Sequence, residues 1–207
     1  MVFVKICGIT NVEDALAAVD AGADALGFNF YAGSSRFINT SAARSIIEKL
    51  PEGVLTVGVF VNESGPEDVG RMAEEAGVGA VQLHGDESPA YCDALKSRFL
   101  IKALRVGADF VPESALDYSA DAILLDAFDP HARGGTGRVF DWQLARRTAQ
   151  LVPKLFLAGG LTVENIAQAI AVASPYAVDA CSGVECAPGR KDALRVRAFI
   201  RAAKEKR

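Results

Sequence analysis

The chain has few of the residues that mark metal sites, exported proteins and nucleic-acid binders. Its two histidines lie far apart, which argues against a histidine-based metal site. The four cysteines show no C-x-x-C spacing and the first residues do not resemble a signal peptide, so we expect reduced thiols and a cytoplasmic protein. A net charge of −4 gives no electrostatic attraction for nucleic acid or an anionic membrane surface. No apolar run approaches the roughly 20 residues of a membrane span.

What the sequence does contain is a repeated alternation of short apolar runs, glycine or polar turns, and amphipathic stretches. The 207 residues suit one domain, and alternating strands and helices predict a parallel sheet. Eight such units favour an α/β fold, a single (β/α)8 TIM barrel over residues 1–207. The predicted strands are Val2–Cys7, Ala25–Phe28, Leu55–Val61, Ala80–Leu83, Phe99–Leu104, Ala122–Asp126, Lys154–Ala158 and Ala177–Cys181. The predicted helices are Asn11–Ala21, Ser41–Leu50, Pro66–Ala76, Ser88–Lys96, Val111–Leu116, Trp142–Gln150, Val163–Ala173 and Lys191–Lys204.

An open, doubly wound sheet is the structural alternative. Such sheets usually have fewer strands and often begin with a G-x-G-x-x-G turn. The first strand here ends in Cys7-Gly8-Ile9-Thr10, which lacks that turn. We therefore favour the barrel and expect functional residues just after each strand.

The first strand ends in residues that ordinary packing explains poorly. Alternation places Phe3, Lys5 and Cys7 on one face of the strand. A catalytic thiol must be partly ionised, and the charge of Lys5 can lower the pKa of Cys7 from its usual value of about 8.5. The alternatives are a small buried cysteine and a lysine paired with a carboxylate inside the barrel.

Asp126 ends the sixth predicted strand, well apart from Cys7 around an eight-strand ring. Its carboxyl group can act as a general acid, and the alternative is a helix cap or a loop anchor. An acid and a base on opposite sides of a small substrate indicate a proton relocation. Such a reaction needs neither a metal nor a redox cofactor.

Two glycine-bearing turns follow the last two strands, where this fold often binds phosphate. They contain Gly159-Gly160 and Ser182-Gly183. Backbone N–H groups in turns just before a helix favour a phosphate group. The alternative is that these glycines serve only to make tight turns.

Other polar residues follow strands where a ligand could reach them. Arg36, in the loop after strand 2, can bind a substrate carboxylate as a bidentate pair, or it can be a solvated loop arginine. Asp179 shares a face with Cys181 and can accept a hydrogen bond from a hydroxyl or amine. His84 fits a packed, hydrogen-bonded histidine better than a catalytic one. The loop from Arg133 to Gly137 can close over a ligand or serve as a flexible connection.

A set of short motifs occurs in a specific order along nearly the whole chain. This ordered set resembles the phosphoribosylanthranilate isomerase family of tryptophan biosynthesis. The motifs are Lys5–Thr10, Gly58–Asn62, Gln82–Glu87, Gly134–Gly137, Leu157–Leu161, Ser182–Glu185 and Pro188–Asp192.

The resemblance implies an Amadori rearrangement on a (β/α)8 barrel, with no cofactor and with a small phosphoribosyl substrate. N-(5-phosphoribosyl)anthranilate becomes 1-(2-carboxyphenylamino)-1-deoxyribulose 5-phosphate. The resemblance implies Asp126 as the general acid that opens the ribose ring to a Schiff base, and Cys7 as the base that removes the C2 proton. It implies that Arg36 holds the anthranilate carboxylate and that Asp179 contacts the anthranilate or ribose part. Phosphate contacts are implied for Gly160, Ser182 and Gly183.

The sequence departs from the family at two places. Ser34-Ser35-Arg36 stands where the family commonly has Ser-Pro-Arg, which loosens the loop before Arg36. Cys181-Ser182 stands where the family has two serines, which matters only if the first hydroxyl binds phosphate.

Two other functions remain as alternatives. One is the related isomerase of the histidine pathway, or a bifunctional relative, although those proteins typically have an aspartate in place of Cys7. The other is a catalytically silent barrel that binds a phosphosugar. The sequence leaves the oligomeric state open between monomer and homodimer.

Overall fold

The computed structural model describes residues 1–127 and 140–205, and within them eight parallel strands close into a barrel. Each strand pairs with the next, and β8 pairs with β1. The TIM barrel predicted from the alternation of elements is confirmed. The strands are β1 (Phe3–Cys7), β2 (Ala25–Asn29), β3 (Leu55–Phe60), β4 (Ala80–Leu83), β5 (Phe99–Val106), β6 (Ala122–Ala127), β7 (Leu155–Leu157) and β8 (Ala177–Ala180).

Helices cover the outside of the barrel between successive strands. They are α1 (Val12–Asp20), α2 (Thr40–Ile47), α3 (Pro66–Ala76), α4 (Pro89–Asp93), α5 (Trp142–Ala149), α6 (Ile166–Ala173) and α7 (Ala193–Lys204). None of the helices in the described residues is long and apolar enough to cross a membrane.

Several element ends differ from the sequence prediction because local hydrogen bonding changes. The segment predicted as a helix at Val111–Leu116 is a 3-10 helix at Pro112–Asp117. The helix predicted to reach Lys96 ends at Asp93, after which the chain continues in tighter turns that join each N–H to a carbonyl three residues back. Strand β5 extends to Val106 because its pairing with β6 continues to that residue.

Side-chain caps fix where several helices begin. Asn11 Oδ1 accepts a hydrogen bond from Asp14 N at 2.8 Å, at the helix start that the sequence predicted. Asn39 Oδ1 caps α2 in the same way, through Ala42 N at 2.8 Å. Each cap satisfies one backbone donor that a helix leaves unpaired at its first turn.

Side chains of β1 point alternately to the outside and the inside of the barrel, and each side has its own apolar layer. Val4 and Ile6 are fully buried against the helices, while Phe3 and Lys5 point into the barrel. The small and large apolar residues that fill the inside are Ala25, Val57, Ala80, Ile101, Ala103, Ala122, Leu124, Phe156, Ala158 and Ala177. This packing fills the barrel with side chains.

Aromatic rings close the amino-terminal end of the barrel. The ring of Phe3 lies 6.2 Å from Phe156 and 5.9 Å from Tyr176, centroid to centroid. The ammonium of Lys154 lies 4.9 Å from the ring centroid of Phe99. Packed rings therefore fill this end of the barrel.

A hairpin that the sequence analysis did not predict follows β8. A short 3-10 turn, Ser182–Val184, leads into β9 (Glu185–Ala187), which pairs antiparallel with β10 (Arg190–Lys191). Gly189 makes the turn with φ of +77°, in the left-handed region that glycine adopts without strain. The hairpin places Glu185 and Lys191 beside the carboxyl end of the barrel.

Candidate active site

A pocket of about 720 Å³, counting the part open to solvent, lies at the carboxyl end of the barrel. Every residue that the sequence analysis proposed for the site lines this pocket: Cys7, Arg36, Asp126, Gly160, Asp179, Ser182 and Gly183. The barrel brings these distant residues together because parallel strands end at the same edge.

A buried ion pair joins β1 to β8 beneath the pocket. The strand register sets Lys5 opposite Asp179, and Lys5 Nζ lies 2.8 Å from Asp179 Oδ2. Lys5 is fully buried and Asp179 is 8% exposed. Burial raises the pKa of Asp179 to about 7, although the charge of Lys5 acts to lower it. Lys5 is thus paired with a carboxylate inside the barrel, which was the alternative to a role beside the thiol. The positive charge of Lys5 also lowers the pKa of Cys7, so both interpretations of Lys5 hold.

The Cys7 thiol is activated by its surroundings. A hydrogen bond with Cys181 and the positive charges of Lys5 and Lys191 outweigh burial and hold the pKa of Cys7 well below its usual range. The hydrogen bond and burial raise the pKa of Cys181, so the shared proton stays on Cys181. A Cβ atom at Gly27 would lie 2.6 Å from Cys7 Sγ, so a glycine on β2 makes room for the thiol. These surroundings favour the thiolate form of Cys7.

Asp126 lines the pocket from β6, with its carboxyl group held at both oxygens. Oδ1 accepts from Ala127 N at 2.9 Å, and Oδ2 lies 3.3 Å from His84 Nε2. Gln82 Nε2 lies 2.8 Å from His84 Nδ1, and an amide hydrogen donated to Nδ1 places the ring hydrogen on Nε2, facing Asp126. His84 is hydrogen-bonded, as its sequence interpretation expected, but its partner is the candidate acid. That link was missed, although Gln82 and His84 share one face of a strand.

Arg36 reaches the pocket from the loop after β2, with its guanidinium paired to Glu185. Arg36 Nη2 lies 2.7 Å from Glu185 Oε2, and the arginine side chain is 14% exposed. Glu185 also accepts from Lys191 Nζ at 2.7 Å. Sequence reasoning included Glu185 and Lys191 only within motifs and gave neither a role. Their proximity to Arg36 depends on the hairpin after β8.

The two glycine-bearing loops after β7 and β8 pack directly on each other. A Cβ atom at Gly183 would lie 2.1 Å from Leu161 O, so only glycine allows this approach. Gly160 has φ of +61°, and Asn165 Nδ2 donates to its carbonyl at 2.9 Å. The turn at Gly160 and the 3-10 turn that begins at Ser182 therefore line one side of the pocket together.

Two further sequence interpretations concern a loop and a metal site. The loop from Arg133 to Gly137, predicted either to close over a ligand or to be a flexible connection, lies outside the described residues. Across residues 1–127 and 140–205, no group of three or more histidine, cysteine, aspartate or glutamate side chains is arranged to hold a metal ion.

Comparison with known families agrees with this geometry. The sequence model of the N-(5′-phosphoribosyl)anthranilate isomerase family matches residues 4–202. The chain belongs to this family. It is therefore an isomerase, and the family resemblance drawn from the ordered motifs is confirmed.

Individual members of the N-(5′-phosphoribosyl)anthranilate isomerase family match the chain over its whole length. The isomerase of Pelobacter propionicus is 52% identical over 207 residues, covering 100% of this chain and 98% of the relative. A crystal structure of phosphoribosyl anthranilate isomerase with reduced 1-(o-carboxyphenylamino)-1-deoxyribulose 5-phosphate has a TM-score of 0.89 and 45% identity, covering 99% of both chains. A structure of monomers generated from the dimeric Thermotoga maritima isomerase has a TM-score of 0.89 and 44% identity, again covering 99% of both chains.

Proposed function

We propose that residues 1–207 form one catalytic domain that carries out the Amadori rearrangement of N-(5′-phosphoribosyl)anthranilate in tryptophan biosynthesis. The product is 1-(2-carboxyphenylamino)-1-deoxyribulose 5-phosphate. The observation that carries the proposal is the pairing of Cys7, whose pKa is lowered, with the carboxyl group of Asp126 in one pocket. Acid–base groups placed on both sides of one small ligand suit a proton relocation.

Substrate binding uses the two ends of the pocket. The loops that carry Gly160, Ser182 and Gly183 bind the phosphate through backbone N–H groups, a mode of binding that the fold favours after β7 and β8. Arg36 binds the anthranilate carboxylate by charge-assisted hydrogen bonds. In support, a related isomerase of 45% identity binds a reduced phosphate-bearing product analogue.

Ring opening is the first chemical step. Protonated Asp126 donates its proton to the ribose ring oxygen, and the bond between that oxygen and C1 breaks. The lone pair of the anthranilate nitrogen forms a Schiff base with C1. The hydrogen bond that His84 Nε2 makes to Asp126 Oδ2 stabilises the carboxylate left after transfer.

Proton removal from C2 is the second step. The Cys7 thiolate takes the C2 proton, the electron pair of the C2–H bond forms the C1–C2 double bond of an enol, and the π pair of the C1–nitrogen double bond returns to the anthranilate nitrogen. Tautomerisation then places a proton on C1 and gives the C2 ketone. Asp179, held by Lys5 at 2.8 Å, has Oδ1 without a hydrogen-bond partner in the described part of the chain, so this oxygen is free to accept from a substrate hydroxyl or amine.

The test of this function is conversion by the purified wild-type protein. The protein is incubated with N-(5′-phosphoribosyl)anthranilate in the presence of EDTA, and the product is identified by NMR. We expect the open-chain ketose, with new hydrogen at C1 and its phosphate retained. Recovery of unreacted substrate, or only its hydrolysis products, would contradict the proposal.

A further inference from the structure

Arg36 is held by a buried glutamate to which the reaction steps above give no role. Arg36 Nε lies 3.0 Å and 3.1 Å from the two carboxylate oxygens of Glu185, and Nη2 lies 2.7 Å from Oε2. Glu185 is 7% exposed. Such a two-point ion pair fixes the plane of the guanidinium as well as its position.

The pairing determines which part of Arg36 remains for a ligand. A guanidinium has one hydrogen-bonding edge formed by Nε and Nη2 and another formed by Nη1 and Nη2. Glu185 occupies the first edge. On the second edge, the contact that Nη1 makes within residues 1–127 and 140–205 is a long one, 3.4 Å to Ser35 Oγ. A ligand carboxylate in the pocket must therefore meet Arg36 end-on, at the Nη1–Nη2 edge.

The charges around Glu185 leave a surplus of positive charge beside the pocket. Glu185 Oε1 accepts from Lys191 Nζ at 2.7 Å and from Gly189 N at 3.3 Å. Burial acts to raise the pKa of Glu185, but Arg36 and Lys191 outweigh it and keep the pKa below its usual value. Two cations thus share one carboxylate, and the net charge of the three suits an anionic ligand group.

The backbone is also shaped to receive Arg36. Gly8 has φ of +75°, and a Cβ atom there would lie 2.9 Å from Arg36 Cδ, so the turn after β1 makes room for the arginine. Ser34 Oγ accepts from Arg36 N at 3.1 Å and from Asn29 Nδ2 at 3.2 Å. These contacts order the loop although Ser35 replaces the proline common in the family.

We propose that Glu185 is a positioning residue for the reaction. It holds Arg36 so that the Nη1–Nη2 edge of the guanidinium binds the carboxylate on the aromatic ring of the substrate, and Lys191 fixes Glu185 in turn. This inference rests on the proposed function. The carboxylate on the aromatic ring of the substrate takes no part in bond making or breaking, so Arg36 binds it equally in the ground state and the transition state. Loss of Glu185 therefore raises KM and leaves kcat nearly unchanged.

The first test is the steady-state kinetics of Glu185→Gln and Glu185→Asp. We expect KM to rise about 10-fold or more while kcat stays within about threefold, because Arg36 is no longer held for a charged hydrogen bond that serves the ground state and the transition state equally. Glu185→Asp keeps the negative charge next to Lys191 but places it one methylene short of Arg36. If Glu185→Gln fails to fold, the kinetics of Glu185→Asp still test the proposal.

A double-mutant cycle separates positioning of Arg36 from general structural support. If Glu185 acts through Arg36, then in the Arg36→Ala background Glu185→Gln changes KM by less than about twofold. The matched control is Glu87→Gln, which breaks another buried ion pair, with Lys102 Nζ at 2.7 Å, but involves no arginine. We expect Glu87→Gln to lower Tm without raising KM. Additive effects in the cycle, or an equal rise of KM in Glu87→Gln, would overturn the proposal.

The outcomes also separate this inference from the function on which it rests. A wild-type protein without turnover contradicts the proposed function and the role of Glu185 together. Normal wild-type turnover with unchanged KM in Glu185→Gln and Glu185→Asp contradicts the role of Glu185 alone. A selective rise of KM that disappears in the Arg36→Ala background supports both.

Discussion

At the scale of single residues, the acidity of Cys7 comes from partners contributed by three segments. Cys181 follows β8 and shares its proton with Cys7, Lys5 lies two residues back on β1, and Lys191 ends the hairpin after β8. Asp179, the nearest carboxylate partner of Lys5, acts against the thiolate by its own negative charge. The hydrogen bond with Cys181 is the largest contribution that lowers the pKa of Cys7, so the thiolate depends on it most.

We predict that kcat/KM falls as pH decreases through the Cys7 pKa, because protonation removes the base. Since that pKa is lowered, the fall lies below the usual thiol value of about 8.5. Cys181→Ala removes the largest favourable contribution, so the pKa of Cys7 rises and the fall shifts to higher pH.

The measurement is kcat/KM across pH for the wild type, Cys181→Ala and Cys181→Ser. The serine variant is the matched control, since its hydroxyl still donates to the thiolate and should keep the fall near its wild-type position. Coincident profiles for the wild type and Cys181→Ala would show that Cys181 does not set the Cys7 pKa.

At the scale of elements, glycines allow the loops after β7 and β8 to form one surface. Gly183 approaches Leu161 O so closely that no side chain fits, and Gly159 takes φ of +82° with Ala127 N at 2.6 Å from where a Cβ would stand. The first contact joins the two loops, and the second joins the loop after β7 to the end of β6. The phosphate site proposed here belongs to this packed pair of loops rather than to one turn.

We predict that Gly183→Ala weakens phosphate binding by about 10-fold or more, because the added methyl group displaces the loop and removes charged hydrogen bonds. The measurement is the inhibition constant of inorganic phosphate against the substrate. The control is Gly70→Ala on α3, where a Cβ atom meets nothing within 4 Å. This variant should keep the wild-type inhibition constant and raise the free energy of unfolding by about 0.5–1 kcal/mol. Unchanged phosphate inhibition in Gly183→Ala would contradict the assignment.

At the scale of the whole molecule, the barrel closes through contacts between the first and last strands. β8 pairs with β1 over four residue positions, from Phe3 with Ala177 to Ile6 with Ala180. The buried pair of Lys5 and Asp179 lies in this seam. Stability and chemistry are coupled there, since the lysine that joins the strands also acts on Cys7.

We predict that Lys5→Met lowers the free energy of unfolding by about 3–5 kcal/mol, because the buried carboxylate of Asp179 loses its partner. Urea denaturation measures the change. Lys96→Met, which breaks an exposed pair with Asp93, is the control and should leave stability nearly unchanged. A loss below about 1 kcal/mol in Lys5→Met would show that the pair does not stabilise the seam.

The barrel was predictable from sequence because each strand and helix carries its own periodic pattern. Cys7 and Asp126 could be placed because residues after parallel strands meet at one edge of the barrel. Glu185 and Lys191 could not be given roles, since their partner Arg36 is about 150 residues away and meets them only through a hairpin with no strong pattern. The hydrogen bond of His84 to Asp126 likewise depends on packing across the barrel.

The proposed rearrangement requires Asp126 as the acid and Cys7 as the base. Stopped-flow measurement of substrate fluorescence, with wild type, Asp126→Asn and Cys7→Ala, tests it most directly. We expect rapid loss of fluorescence with the wild type and a rate at least about 100-fold lower for each variant, the usual contribution of an acid–base group. A variant that turns over at nearly the wild-type rate would show that its residue is neither the acid nor the base of the reaction.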